Sequence, residues 1–315
     1  MQINNVCVIG GSGFVGRHVV HLLAAHGYRV RVPTRNRERA KELIVLPTVD
    51  VVQAERYDDD ELKRVLTGMD AAINLVGILN EQRRGDFKRV HVELPLRIAK
   101  ACASLGVKRM VHMSALKADP NGPSNYLRTK GEAEAALKQI AHGPALTVFR
   151  ASVIFGREDK FLNLFAKLLK YLPVIFLASP QARFQPIFVE DVARAIVLSL
   201  DKLETFGKSY ELCGPKPYTL RELVQYVGQL TGHARRIIGL SARLSYLQAW
   251  AMEFLPVKLM TRDNYYSMTI DNVCECGFPE VFGFKPAALE AAAPSYLTGG
   301  TPRDRYRLFR FKARR

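Results

Sequence analysis

A tyrosine four residues ahead of a lysine is a candidate proton donor beside a group that can tune it, provided one helix carries both. Tyr126-Leu127-Arg128-Thr129-Lys130 has that spacing, and on a helix the two side chains share a face. A nearby ammonium lowers a phenol's pKa, and a phenol so tuned can pass a proton to or from a carbonyl or an alcohol. Of the chain's twelve tyrosines only Tyr126 has a lysine at that offset. Ser114 ends an apolar run about a dozen residues earlier and is placed to polarise the same oxygen. Asn74-Leu75-Val76-Gly77 ends the preceding apolar run, where a nicotinamide ribose would lie. Ser114, Tyr126 and Lys130 are therefore the candidate catalytic set, with a small molecule that carries a carbonyl as substrate. Asn74, Leu75, Val76, Gly77, Tyr126 and Lys130 are candidate cofactor contacts.

A hydride donor for such chemistry needs a dinucleotide site. Gly10-Gly11-Ser12-Gly13-Phe14-Val15-Gly16 satisfies both G-x-G-x-x-G and G-x-x-G-x-x-G, between an apolar run and an amphipathic stretch. Its glycines allow a tight turn and close backbone approach. The helix that follows turns free N–H groups and a partial positive charge toward a pyrophosphate. NAD-preferring sites place an acid at the end of the second strand, on the ribose 2′-OH. Here that stretch reads Val32-Pro33-Thr34-Arg35-Asn36-Arg37, without an acid. Thr34, Arg35 and Arg37 are thus read as holding a 2′-phosphate through forked, charge-assisted contacts, which favours NADP(H) over NAD.

The elements that must position these residues alternate. Strand-length apolar runs fall at Val6–Ile9, Arg29–Val32, Val49–Gln53, Ala71–Val76, Met110–Met113 and Leu146–Phe149. Helical patterns lie between them at Gly13–His26, Arg37–Leu43, Asp58–Thr67, Asp86–Leu105, where Pro95 predicts a kink or break, and Ser124–Ile140. Such alternation gives parallel pairing with right-handed crossovers: an α/β, Rossmann-type doubly wound sheet. The expected division is a nucleotide-binding core over 1–156, rejoined by 186–214. Residues 157–185 and 215–315 should form a smaller C-terminal lobe over the strands' C-terminal edge, carrying a basic tail.

The net charge is +16, and residues 301–315 set seven basic side chains against Asp304 alone. Tyr306, Leu308, Phe309 and Phe311 interleave with them. Charge runs are usually solvated surface, and these aromatics either pack back on the lobe or enter a membrane interface. The sharper readings are peripheral contact with an anionic membrane surface or with an acidic protein partner; a nucleic acid comes last, since no nucleic-acid motif accompanies the charge, and none is expected. The five cysteines form no C-x-x-C. Cys7 and Cys213 sit in strand-like runs as buried thiols, and Cys274 and Cys276 lack a partner pair, so no metal site is expected. A reducing compartment follows. The N-terminus reads as a strand rather than a signal peptide, and no run of about 18 apolar residues spans a membrane. The expected location is cytoplasmic, peripheral on the inner face of the membrane.

The order of glycine turn, Asn74–Gly77, Ser114 and Tyr126/Lys130 resembles the extended or atypical branch of the short-chain dehydrogenase/reductase superfamily. Phe149-Arg150-Ala151-Ser152-Val153-Ile154-Phe155-Gly156 is similar to that branch's R-P-x-x-[IV]-[YF]-G segment, with Ala151 for the usual proline. The resemblance adds Ala151 and Val153 to the cofactor-binding positions. Gln185–Ala193 resembles its Q-P-[IV]-x-V-x-D-V-A segment, and Tyr210–Pro215 fits the strand after it. Asn74–Leu79, Val90-His91-Val92-Glu93, Tyr126–Lys130, Leu259–Asn264 and Asp271-Asn272-Val273 resemble the nucleotide-binding accessory subunit family of respiratory complex I and its bacterial relatives. Members are also associated with coenzyme Q biosynthesis. The resemblance implies tight NADP(H) binding and a link to quinone or respiratory-chain biology, through turnover or through a purely structural nucleotide. Ala151 and His91 depart from the superfamily's commoner pattern.

Overall fold

The computed structural model describes residues 3–140, 142–255 and 258–298. The basic tail lies outside the described residues. The apolar runs become β1 (Asn5–Ile9), β2 (Arg29–Thr34), β3 (Val49–Gln53), β4 (Ala71–Asn74), β5 (Arg109–Ala115) and β6 (Ala145–Ala151). Short strands follow: β7 (Ile154–Phe155), β8 (Val174–Leu177), β9 (Arg183–Phe184) and β10 (Ile187–Phe188). Then β11 (Ser209–Leu212) returns to pair with β6. The main sheet has seven strands in the order β11-β6-β5-β4-β1-β2-β3, parallel throughout. This is the Rossmann-type doubly wound α/β fold, whose strand order reverses beside β1 and places ligands at the C-terminal edge.

Both faces of the sheet are buried, as parallel sheets require. Alternate residues of β1 show how. Val6 and Val8 pack with α1 (Phe14–Ala25), through Val19, Val20 and Leu23. Val192 and Ile196 join them from α7 (Val189–Ser199), which packs on α1. Cys7 and Ile9 face the other layer, against Leu62 and Leu66 of α3 (Asp59–Leu66) and Ile98 and Cys102 of α4 (Leu94–Leu105). Each such aliphatic side chain contributes roughly 1.5–3 kcal/mol when fully buried. The short α2 (Lys41–Ile44) follows β2, and α5 (Asn125–Lys138) completes the second layer beside α4. A separate apolar cluster joins Leu162 and Leu169 of α6 (Leu162–Tyr171) to Leu223, Val224 and Val227 of α8 (Leu220–Leu230), with Ile175 and Leu177 of β8. That part continues through β12 (Tyr218–Thr219), β13 (Arg236–Gly239), α9 (Ala242–Met252) and α10 (Arg262–Ser267).

Several boundaries differ from the sequence pattern for local reasons. The strand read as Ala71–Val76 stops at Asn74, whose Oδ1 accepts the Val76 N–H at 3.2 Å and bends the chain out of the ladder. The pattern at Arg37–Leu43 splits into a 3₁₀ turn, Arg37–Ala40, and α2. The pattern at Asp86–Leu105 becomes a π-helical turn, Lys88–Glu93, followed by α4 with Pro95 in its first turn. Proline is tolerated there, since its missing N–H would find little intrahelical use.

The cysteine expectation is overturned. Cys213 is not a buried thiol: it is disulfide-bonded to Cys274, 61 residues away. The cysteine pattern therefore gives no argument for a reducing compartment. The bond ties the end of β11 to a strap, residues 271–275, which lies along β9. Asn272 N donates to Arg183 O at 2.8 Å, Gln185 N to Asn272 O at 3.0 Å, and Cys274 N to Gln185 Oε1 at 3.0 Å. Closing a loop of this length is worth about 4 kcal/mol on the chain-entropy model. Dithiothreitol should therefore lower the melting temperature of the wild type and leave a folded Cys213→Ser/Cys274→Ser variant unchanged. Equal melting with and without reductant in both proteins would remove the bond from the stability account. Among the described residues no helix is long and apolar enough to cross a membrane.

Candidate functional site

The glycine turn divides its glycines by task. Gly10 has φ +86°, a left-handed conformation, and a Cβ there would meet the Leu75–Val76 backbone at 3.1 Å. A Cβ on Gly11 would meet Val8 O and Val32 Cγ1 at 2.9 Å, and one on Gly16 would lie 2.2 Å from Gly10 O. These positions hold the turn against its own strand and helix. Gly13 differs: a Cβ there would meet only Gly10 O, at 3.1 Å. Gly13 is also the N-cap of α1, with no side-chain cap and no acid in the first turn, so the first N–H groups are left for an anion. This cradle suits a pyrophosphate. Phe14 packs its ring toward Gly156, and Val15 sits half-buried on the core.

At the end of β2, buried Thr34 meets Ser12, Oγ1 to Oγ, at 3.2 Å and donates to Asn36 O at 3.2 Å. Arg35 and Arg37 project from this corner and are exposed. Gln53 Nε2 holds the Arg35 carbonyl at 3.0 Å. Two exposed arginines thus follow Thr34 within three residues, and β2 ends without a carboxylate.

The second group of residues meets on the far side of β1. Buried Asn74 accepts the Val76 N–H through Oδ1, so its amide nitrogen is the group that donates to His112 Nδ1, at 3.1 Å. His112 then carries its proton on Nε2, a buried atom with no hydrogen-bond partner. Leu75 and Val76 pack half-buried on the two core layers. Gly77 faces Lys130, since a Cβ there would lie 3.5 Å from Nζ and 3.9 Å from His91 Nε2. Lys130 donates to Met113 O at 3.0 Å, next to Ser114, whose buried Oγ has no hydrogen-bond partner among the described residues. Burial brings the Lys130 ammonium down to about 8, opposed by Glu134 one turn along α5. Glu134 is itself clamped to Arg150 at 2.9 and 3.0 Å, which pins α5 to β6.

Tyr126 corrects one expectation. Burial pushes its phenol up to about 12, not down, and the Lys130 ammonium is turned to the Met113 carbonyl. The ring stands edge-on to His91 at 5.5 Å and to Phe87 at 6.0 Å.

His91 is the residue that the sequence pattern marked only as a departure. It sits on the π-helical turn and is fully buried. Its Nε2 accepts the Ile78 N–H at 3.2 Å, which leaves the proton on Nδ1, 3.1 Å from Thr129 Oγ1. Desolvation, with Lys130 and His112 nearby, holds its pKa at about 2, so the ring is neutral. One imidazole therefore joins the Gly77–Ile78 backbone to the Tyr126 helix. Asp263 also escaped the sequence reading of the site. Its carboxylate accepts from Asn125 N at 2.7 Å and Tyr126 N at 3.1 Å, capping α5 from α10. Asn272 does the same for the segment after β6. Its Oδ1 accepts from Ser152 Oγ at 2.6 Å and Val153 N at 3.3 Å, beside buried Ala151. An open cavity of about 390 Å³ is lined by Phe87, Asn125, Arg128, Tyr246, Arg262 and Asp263. Tyr126 does not line it; its ring lies behind that of Phe87, 6.0 Å away.

Comparison with known proteins follows the same lines. The NAD dependent epimerase/dehydratase family matches residues 6–213. NADH dehydrogenase (ubiquinone) 1 alpha subcomplex subunit 9, mitochondrial, of Mus musculus is 31% identical over 302 residues, covering 90% of this chain and 77% of that protein. A ceramide reductase of Caulobacter vibrioides is 29% identical over 75% of this chain and 73% of its own length. Among solved structures, an NADPH-dependent quinone oxidoreductase of Escherichia coli complexed with NADPH superposes with TM-score 0.73 at 20% identity, covering 93% of this chain and 99% of that one.

Proposed function

Because this chain belongs to the NAD dependent epimerase/dehydratase family, we propose that it binds NADP(H) and reduces a carbonyl or quinone-like group on a small molecule. The observation that carries this reading is the Ser114 hydroxyl. It is buried near the end of β5 without a hydrogen-bond partner among the described residues, beside the carbonyl that holds Lys130. Leaving such a group unsatisfied costs roughly 1–3 kcal/mol, so a substrate oxygen is the partner that justifies it. Bound NADPH would supply a hydride to the carbonyl carbon. The residues would do the rest. Ser114 would donate a hydrogen bond to the substrate oxygen, and Tyr126 would pass it a proton. Lys130 would hold positive charge beside the oxygen, and Gly10–Gly16 with Asn74–Gly77 would fix the nucleotide.

A second reading has its own support. With the phenol near 12 and Lys130 committed to Met113 O, the free geometry is not yet tuned for proton transfer. In that reading the nucleotide stabilises the fold by mass action, and the chain serves a respiratory complex structurally. Steady NADPH consumption across a panel of ketones and quinones separates the two readings.

Cofactor choice rests on Arg35. Arg35→Ala is expected to weaken NADPH by about 1.5–3 kcal/mol while leaving NADH nearly unchanged, because only NADPH carries the 2′-phosphate. Fluorescence titration with both nucleotides measures this. Equal losses for both would take Arg35 out of that role.

A further inference from the structure

A second surface, away from the nucleotide turn, combines one sign of charge with unpartnered apolar side chains. It is built from the end of α6, β8, β13 and α9. Parallel pairing of β8 with β13 brings the first two to the last two. Gln248 Nε2 then donates to Phe176 O at 2.9 Å, and Ser179 N to Ser245 Oγ at 3.1 Å, seating α9 against β8. The inward side of α9 is small: Ser245 and Ala249, one turn apart, are buried. Its outward side is apolar, with Leu244, Leu247 and Trp250 exposed and Phe254 just beyond its end 73% exposed. Trp250 and Phe254 stack edge to face at 5.1 Å. Tyr171 and Phe176 extend this apolar surface across β8, the latter 57% exposed.

The free charge on this face has one sign. The segments 161–177 and 235–252, which supply most of it, contain no Asp or Glu, and Glu253, just before Phe254, is paired with Arg262 at 2.9 Å. Lys167, Lys170, Arg235, Arg236 and Arg243 are all exposed there. In a chain of net charge +16, these cations lie on the same elements as the apolar side chains, and among the described residues none of them is in an ion pair. Contiguous exposed apolar surface marks an interaction site. A tryptophan and a tyrosine among aliphatic side chains, ringed by lysine and arginine, suit the headgroup level of a bilayer, where ring and stem are apolar and the tips polar. We propose that this face is a peripheral docking surface for an anionic lipid bilayer. The outward side of α9 enters the interface, and the lysines and arginines meet the headgroups. The inference is independent of the nucleotide reading and needs no turnover.

The chain's single tryptophan, Trp250, lies at the centre of the face and reports on it directly. Full-length protein is mixed with vesicles of phosphatidylcholine alone or with phosphatidylglycerol added, then sedimented, and Trp250 emission is recorded. The expected result is co-sedimentation with the phosphatidylglycerol vesicles only, weakened by salt, with a blue shift of the emission. Lys170→Gln/Arg243→Gln should lower partitioning about tenfold or more. Leu247→Ser/Phe254→Ser should abolish the blue shift. All four positions are exposed, and unchanged melting temperatures show that the variants fold. Four results would overturn the proposal. Sedimentation with unshifted Trp250 emission, or equal binding by both variants, would assign the attraction to another part of the chain. Equal binding to pure phosphatidylcholine would remove the electrostatic argument. A dimer in size-exclusion chromatography that Phe254→Ser dissociates would make the occupant a second copy.

Discussion

Gly13→Val is expected to fold normally and to lose NADPH affinity by at least about a hundredfold, because its side chain would occupy the pyrophosphate's place. The backbone there has φ −82° and ψ 178°, which a branched residue adopts without strain. Among the described residues its Cβ would meet Gly10 O alone, at 3.1 Å, so a shift of a few tenths of an ångström in the turn is all that the change asks of the protein. Gly16→Ala is the contrast. Its Cβ would lie 2.2 Å from Gly10 O and 2.6 Å from Gly11 Cα, so the turn itself must open and the melting temperature should fall. Fluorescence of added NADPH, read beside thermal melts, distinguishes the two. Wild-type affinity in a folded Gly13→Val protein would defeat the dinucleotide assignment.

Tyr126→Phe should reduce any carbonyl reduction by about 10²–10⁴-fold, the range for losing a positioned proton donor. Nucleotide affinity should hardly change. The substitution removes one oxygen and keeps the ring contacts to His91 and Phe87 that orient the start of α5. The assay is the decay of NADPH absorbance with a substrate that the wild type reduces. An equally fast variant would take Tyr126 out of the reaction. A wild type that reduces nothing across a broad panel favours the structural reading instead. The high phenol pKa sharpens this test: Tyr126 starts protonated, as a donor must, and substrate or nucleotide has to draw Lys130 from Met113 O before that proton becomes mobile.

Much of this arrangement was legible in the sequence because its signals are local. The strand at Val49–Gln53 was readable to the residue, and the glycine turn announced itself by lying between an apolar run and an amphipathic one. The Tyr126–Lys130 helix declared its start through Ser124, whose Oγ accepts the Leu127 N–H at 3.2 Å. What remained hidden is non-local. Asp263 caps that helix from 137 residues away, and Asn272 reaches Ser152 across 120. Periodicity cannot announce such partners, nor can it see a one-residue insertion that widens a helical turn. The π-turn bearing His91 therefore read as ordinary helix. His91 itself left a trace, as an odd residue in a familiar segment, but its tautomer and its role as a tie between two elements follow only from the bonds it makes. The phenol's acidity likewise depends on burial and on where an ammonium points, neither of which spacing records.

The Cys213–Cys274 bond separates the unit of inheritance from the unit of folding. The family match stops at residue 213, as if the chain could be divided there. Yet that residue is covalently attached to a strap 61 positions downstream, and the same strap supplies the acceptor for Ser152 and Val153 within the matched region. A boundary drawn at the end of that match would cut through the partners of its own last strand. A fragment ending at residue 213 would lose both the disulfide and the acceptor that Asn272 gives to Ser152 and Val153.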